Sequence, residues 1–208
     1  MKYKQNIVVV DYNVGNTFSV ANSIQYLGYK VRVSSSEVEI NKADFIVLPG
    51  VGAFKIAINN LKALHLDTIL HNMVFSQNKP LLGICVGMQI LADSSEEDGI
   101  HQGLGWISGK VQKIIPTNDD KVPHVGWNEV NQVQNSKVYS KVINNSCFYF
   151  DHSYQFNCEQ ETKTSIVEYA GQQITASVEK GNIYGVQYHP EKSQIAGLKL
   201  FRGFFESN

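Results

Sequence analysis

The chain has 208 residues, 43% of them hydrophobic, enough to bury one sizeable core in a single domain. Lysine plus arginine number 18 and aspartate plus glutamate 19, so no basic surplus points to nucleic acid and no like-charge run makes a tail. The longest apolar runs, such as residues 7–10 and 45–48, fall far short of the roughly 20 apolar residues of a membrane span, so a soluble protein is expected.

The first residues carry two lysines and then a four-residue apolar run. A secretory leader needs an apolar core of about 7–15 residues, so this stretch reads as a first strand. Residues 6–10 read as a strand, with Ile7–Val10 β-branched and apolar, the pattern of a strand covered on both faces. Residues 16–27 place Phe18, Val20, Ile24 and Leu27 at helical spacing and stop at Gly28. Residues 30–33 and 45–48 read as further strands, 53–78 as one or two helices, and 80–84 as a buried strand followed by a helical stretch at 88–92. This alternation implies a mostly parallel sheet with helices on both faces. Beyond it, residues 109–115, 128–134, 148–150, 165–169, 173–178 and 183–188 are short strand candidates between polar turns, among them Gly171 and Lys180-Gly181-Asn182. A last helix over 194–205 spaces Leu198, Phe201, Phe204 and Phe205 for one buried face. The expected architecture is a single three-layer α/β domain over residues 1–208, a mostly parallel sheet flanked by helices with an antiparallel extension.

The three cysteines, Cys85, Cys147 and Cys158, are an odd and scattered set. They argue against a disulfide framework and for a reducing cytoplasm. No CxxC or HxxxH pattern offers a metal site, and no cofactor is expected.

Gly83-Ile84-Cys85-Val86-Gly87 is the cysteine version of the G-x-S-x-G nucleophile elbow, with a buried strand before it and a helix pattern after it. A sharp strand-to-helix turn strains the nucleophile and needs small flanking residues. The helix start favours a thiolate, and the N–H of Val86 is placed to donate to an oxyanion. The plain alternative is a buried cysteine between two packing glycines. A cysteine nucleophile needs a base, and the base an orienter. Tyr188-His189-Pro190-Glu191 supplies both at the end of a strand, where parallel α/β sheets place their sites, although a surface turn around Pro190 has the same pattern. His152 also ends an aromatic strand and is a rival base. Pro49-Gly50-Val51-Gly52 sets a flexible loop at another strand tip, able to offer a second oxyanion donor, or is a simple β–α turn. Cys147 and Cys158 lack flanking glycines and read as ordinary thiols.

Taken together, these motifs resemble the class I (triad-type) glutamine amidotransferases, which share the flavodoxin-like α/β fold. More narrowly they resemble the glutaminase subunits of imidazole glycerol phosphate synthase. The resemblance runs nearly end to end: Asp11-Tyr12-Asn13-Val14-Gly15-Asn16, Leu48-Pro49-Gly50-Val51-Gly52-Ala53-Phe54, the stretch around Cys85 through Met88-Gln89, Pro123-His124-Val125-Gly126-Trp127-Asn128, His152-Ser153-Tyr154, and Gln187-Tyr188-His189-Pro190-Glu191-Lys192-Ser193. It implies that Cys85, His189 and Glu191 form a triad hydrolysing glutamine through a glutamyl thioester. Val86 and either Val51 or Gly52 would hold the oxyanion. Gly50, Gly52, Gln89, Glu97, Ser153 and Tyr154 match glutamine-binding positions. Asn13, Asn16, His124, Trp127, Asn128 and Lys192 match the face that meets a (β/α)₈-barrel cyclase, which receives the ammonia for histidine biosynthesis. The lone subunit would then be a poor glutaminase, with the 50–52 peptide as its gate.

Val86, Asp151, Asn13 and Trp106 depart from the family pattern, none of them in the triad. They leave room for a paralogue that supplies ammonia to modify a surface sugar. A cysteine peptidase on the same elbow is a further alternative, opposed by Gln89 and His152-Ser153-Tyr154. A non-catalytic regulatory subunit is opposed by the intact triad.

Overall fold

A computed structural model describes residues 5–117, 119–132 and 136–208. In chain order the elements are β1 (Asn6–Val10), α1 (Thr17–Tyr26), β2 (Lys30–Ser34), α2 (Glu37–Asn41), β3 (Phe45–Gly50), α3 (Phe54–Ala63), α4 (Leu66–His71), β4 (Leu81–Cys85) and α5 (Val86–Gln89). There follow β5 (Ser94–Ser95), β6 (His101–Gln102), β7 (Gly109–Lys113), β8 (His124–Glu129), β9 (Asn131–Gln132), β10 (Cys147–His152) and β11 (Tyr154–Cys158). The chain closes with β12 (Lys163–Tyr169), β13 (Gln172–Lys180), β14 (Ile183–Val186) and α6 (Gln194–Glu206).

The main sheet has the order β2-β1-β3-β4-β14-β13-β12-β9. Its first five strands are parallel to their neighbours, and β13, β12 and β9 add on antiparallel. The antiparallel extension is thus continuous with the parallel sheet. A two-stranded ribbon β10-β8 and a four-stranded sheet β11-β7-β5-β6 complete the described strands.

The strand order reverses after β2, because the connection through α1 runs one way and every later one runs the other. With right-handed crossovers, helices leaving in opposite directions lie on opposite faces. Accordingly α1 packs with α6, and α4 packs with α2 and α3. The central strands β3 and β4 are buried from end to end, which is why they read as unbroken apolar runs. The rings of Phe204 and Phe205 in α6 meet Phe45 of β3 at centroid distances of 5.5 and 5.3 Å.

Several expectations shift. Phe18 faces solvent, and the buried stripe of α1 is Thr17, Val20, Ala21 and Ile24. The helical region 53–78 divides at His65, whose φ of 55° breaks α3 from α4. The helix expected at 88–92 starts earlier, immediately after Cys85. The strand expected over 128–134 is two strands, β8 and β9, and residues 133 and 134 lie outside the described residues. Cys147 and Cys158, read as ordinary thiols, are exposed and half-buried respectively.

Candidate active site

Cys85 is the last residue of β4, and α5 begins at the next residue. Its φ of 54° and ψ of −112° lie where L-residues are strained, so the surroundings must hold it there. The flanking glycines explain how. A Cβ on Gly87 would stand 1.8 Å from the Leu48 carbonyl oxygen, and one on Gly83 would stand 2.5 Å from that of Gly87. The backbone can therefore close tightly around the turn only because both positions lack side chains. Cys85 pairs in register with Gly50, the last residue of β3, so two strand tips meet at the sulfur.

The third tip belongs to β14. Past it, His189 N–H donates to the Tyr149 carbonyl on β10, and His189 is buried. His189 Nδ1 lies 2.9 Å from Glu191 Oε1, and the two side chains are only 2% and 1% exposed. Burial pushes the imidazole down, but its hydrogen bonds and charge interactions with Cys85 and Glu191 outweigh that and hold it up at about 10, against an ordinary value near 6.5. Cys85, His189 and Glu191 thus converge in one place.

His152, the rival base, is also buried, but it is committed elsewhere. Nδ1 lies 2.8 Å from the Tyr154 carbonyl oxygen, so this nitrogen carries the hydrogen. Nε2 faces His124 Nδ1 at 3.0 Å. Burial, with the charge on His189, lowers His152 to about 4, so it is neutral near pH 7.

A cavity of about 350 Å³ opens over Cys85. Val51, Gly52 and Val86 line one side, and Gln89, Glu97, Ser153 and Tyr154 also line it. The expected oxyanion and substrate residues therefore surround one space, except Gly50, which does not line it. A Cβ on Gly50 would meet Gly87 N at 2.7 Å and the Tyr12 hydroxyl at 2.8 Å. Gly52 differs, with a φ of +105° and open space where a Cβ would point. The reorienting unit read from the sequence thus narrows to the Val51–Gly52 side of the loop, since Gly50 is packed and Tyr12 Oη donates to the Pro49 carbonyl at 2.6 Å.

The model of the class I glutamine amidotransferase family matches residues 8–207. The chain is 44% identical over 201 residues to imidazole glycerol phosphate synthase subunit HisH 2 of Vibrio vulnificus, covering 96% of this chain and 94% of that one. It is 44% identical over 204 residues to subunit HisH of Pelagibacter ubique, covering 96% and 98%. The chain belongs to the class I glutamine amidotransferases. Solved structures of PurLQS and of a glutamine amidotransferase, both from Thermotoga maritima, share its fold. The first has a TM-score of 0.75 at 16% identity, covering 98% of each chain. The second has a TM-score of 0.63 at 15% identity, covering 97% of this chain and 83% of the other.

Two features of this amidotransferase site had no separate signal in the sequence. Glu97 Oε2 accepts the Phe54 N–H at 2.6 Å, so it caps α3, whose own N-cap residue, Ala53, has no side-chain acceptor. The carboxylate thereby ties the far wall of the cavity to the loop carrying Val51 and Gly52. Gln187 is fully buried beneath Cys85, with Nε2 3.7 Å from Sγ.

Of the residues expected on the partner-facing side, Asn13, Trp127 and Lys192 are exposed. Lys192 Nζ sits 5.1 Å from the Tyr149 ring centroid, and the Trp127 ring meets Tyr149 in a T-shaped contact at 6.1 Å, so Lys192, Tyr149 and Trp127 make one patch. Asn16 accepts from Ser19 N–H and caps α1, and Asn128 Nδ2 donates to the Glu168 carbonyl. His124, expected on that face, is buried in this chain. Its ring stacks on those of Tyr169 and Phe150, at centroid distances of 3.8 and 4.5 Å.

Proposed function

We propose that this chain is the glutaminase subunit of an imidazole glycerol phosphate synthase, hydrolysing L-glutamine to glutamate and ammonia at Cys85. One observation carries the chemistry: a strained, buried cysteine at a strand tip beside a histidine whose Nδ1 is held by a buried carboxylate. The identities of 44% over nearly the whole chain support the synthase assignment over a sugar-modifying paralogue.

The cavity orders the substrate. Gln89 gives both amide hydrogens to protein, one to the Tyr154 carbonyl and one to Gln187 Oε1, which leaves its own Oε1 as an acceptor. Glu97 uses Oε2 on Phe54 and likewise offers Oε1. Together they suit the α-ammonium of glutamine, directing its side-chain amide toward Cys85. The sulfur attacks the amide carbon, and His189 carries the proton taken from the thiol. The carbonyl oxygen becomes an oxyanion, received by the N–H of Val86 and of Val51 or Gly52. Collapse breaks the C–N bond, and the His189 proton leaves with the nitrogen as ammonia. His189 then takes a proton from water, whose hydroxide attacks the thioester. Glutamate departs and the proton returns to complete the cycle. Glu191 accepts from Nδ1 throughout, fixing the tautomer and stabilising the imidazolium.

The partner is a (β/α)₈-barrel cyclase that docks on the Asn13, Trp127 and Lys192 side. In water ammonia becomes ammonium and loses its nucleophilicity, so direct transfer into the partner gives a physical reason for two chains. The test is ammonia release and product formation by the complex, with wild type and Cys85→Ala. Cys85→Ala should abolish glutamine-dependent activity and leave ammonia-dependent cyclase activity. Glutamine-dependent activity surviving in the variant would overturn the mechanism.

A further inference from the structure

Gln187 lies two residues before His189, and the mechanism above gives it no part. Its amide orientation is nevertheless fixed by an unbroken chain of hydrogen bonds. A carbonyl oxygen can only accept, so His152 Nδ1 donates to the Tyr154 carbonyl at 2.8 Å. His152 Nε2 is then an acceptor, satisfied by His124 Nδ1–H at 3.0 Å. The same Tyr154 carbonyl accepts from Gln89 Nε2 at 3.1 Å, so Gln89 turns its NH₂ end inward. The second Gln89 hydrogen goes to Gln187 Oε1 at 3.0 Å. With its oxygen so occupied, Gln187 points its NH₂ end at Cys85 Sγ, 3.7 Å away. An amide N–H can donate to sulfur but cannot accept from it. A fixed donor at a buried site favours the charged form of its partner, because no solvent competes for the bond.

We propose, resting on the glutaminase reading of the site, that Gln187 is a positioning residue for the nucleophile: an N–H donor that fixes the Cys85 sulfur and, through its bond to Gln89, aligns it with the bound substrate. Cys85 is then held from two sides, by His189 and by Gln187. Gln89 belongs at once to the substrate pocket and to the support of the nucleophile.

The test is the pH dependence of Cys85 alkylation by iodoacetamide, followed on its own peptide by mass spectrometry so that Cys147 and Cys158 do not interfere. Gln187→Met removes the donor at similar volume. Gln187→Glu keeps an acceptor for Gln89 but turns an oxygen toward the sulfur, and it preserves side-chain size should methionine not fit. The alkylation midpoint should rise by about one pH unit in Gln187→Met and further in Gln187→Glu, with kcat of the complex falling about tenfold and KM for glutamine changing less. A purely structural role would lower thermal stability without moving the midpoint. A wild-type midpoint in both folded variants would overturn the inference. Glutamine hydrolysis still lost in Cys85→Ala would, in that case, leave the glutaminase reading standing.

Discussion

Gly87 leaves the nucleophile turn no freedom to accept a side chain. Its neighbour at 1.8 Å is a backbone carbonyl in a central strand, so nothing can move aside cheaply. Gly87→Ala should cost about 3 kcal/mol or more and yield little folded protein, measured by urea unfolding. Glu191 is a different case, because it orients rather than packs and lies outside the cavity lining. Glu191→Gln should lower kcat by about 10²-fold with little change in KM. It should also move the alkaline limb of the pH profile down, since Glu191 is one of the groups holding His189 at about 10. An unchanged limb would remove Glu191 from the mechanism. Cys85, His189 and Glu191 were legible in the sequence because elbows and H-P-E turns impose short-range patterns. Gln187 was not, since its role depends on which way an amide faces, which a chain of distant bonds decides.

At the level of elements, the loop after β3 shows how neighbouring glycines divide their work. Gly50 is a packing residue, whereas Gly52 is conformational, at φ +105° with open space around it. Gly52→Ala should therefore fold, at a cost of about 1–3 kcal/mol in backbone strain. It should also lose more glutaminase activity than its stability loss explains. A fully active Gly52→Ala would remove the loop from the mechanism. Most strands and the long helices were legible because buried parallel strands are continuous apolar runs and because α6 repeats its phenylalanines at helical spacing. The five-residue α2 was missed, as a single turn and a half shows almost no period. The β11 strand was missed because its buried members, Gln155 and Phe156, are adjacent and do not alternate. The extent of β10, which pairs with β8, was underestimated because Asp151 and His152 look like a turn.

Across the whole molecule, the buried histidine pair sets a pH dependence of folding. Burial lowers His124 to about 3 and His152 to about 4, while an unfolded histidine titrates near 6.5. Between these values the unfolded chain binds protons that the folded chain does not. Stability is therefore fully present above pH 6.5 and lost as pH falls toward 4, by up to about 1.4 kcal/mol per pH unit for each histidine. Urea unfolding across that window should show the loss, and His152→Asn should reduce its slope. A slope unchanged by the substitution would contradict the assignment. His189 behaves oppositely: its folded value of about 10 gives a contribution that is complete below 6.5 and fades as pH rises to 10. Trp127→Ala should weaken association with the partner subunit while leaving the fold intact, because Trp127 is 48% exposed and its ring meets Tyr149 at 6.1 Å in a T-shaped contact.

Covalent labelling by a diazoketone analogue of glutamine, read by peptide mass spectrometry on the complex, tests Cys85 as the nucleophile most directly. The thiols compete under conditions that favour the wrong answer, since Cys147 is exposed and Cys85 is buried. The label should appear on the Cys85 peptide alone, excess glutamine should block it, and glutaminase activity should fall in proportion. Label on Cys147 or Cys158 instead, or inactivation with Cys85 unmodified, would contradict it.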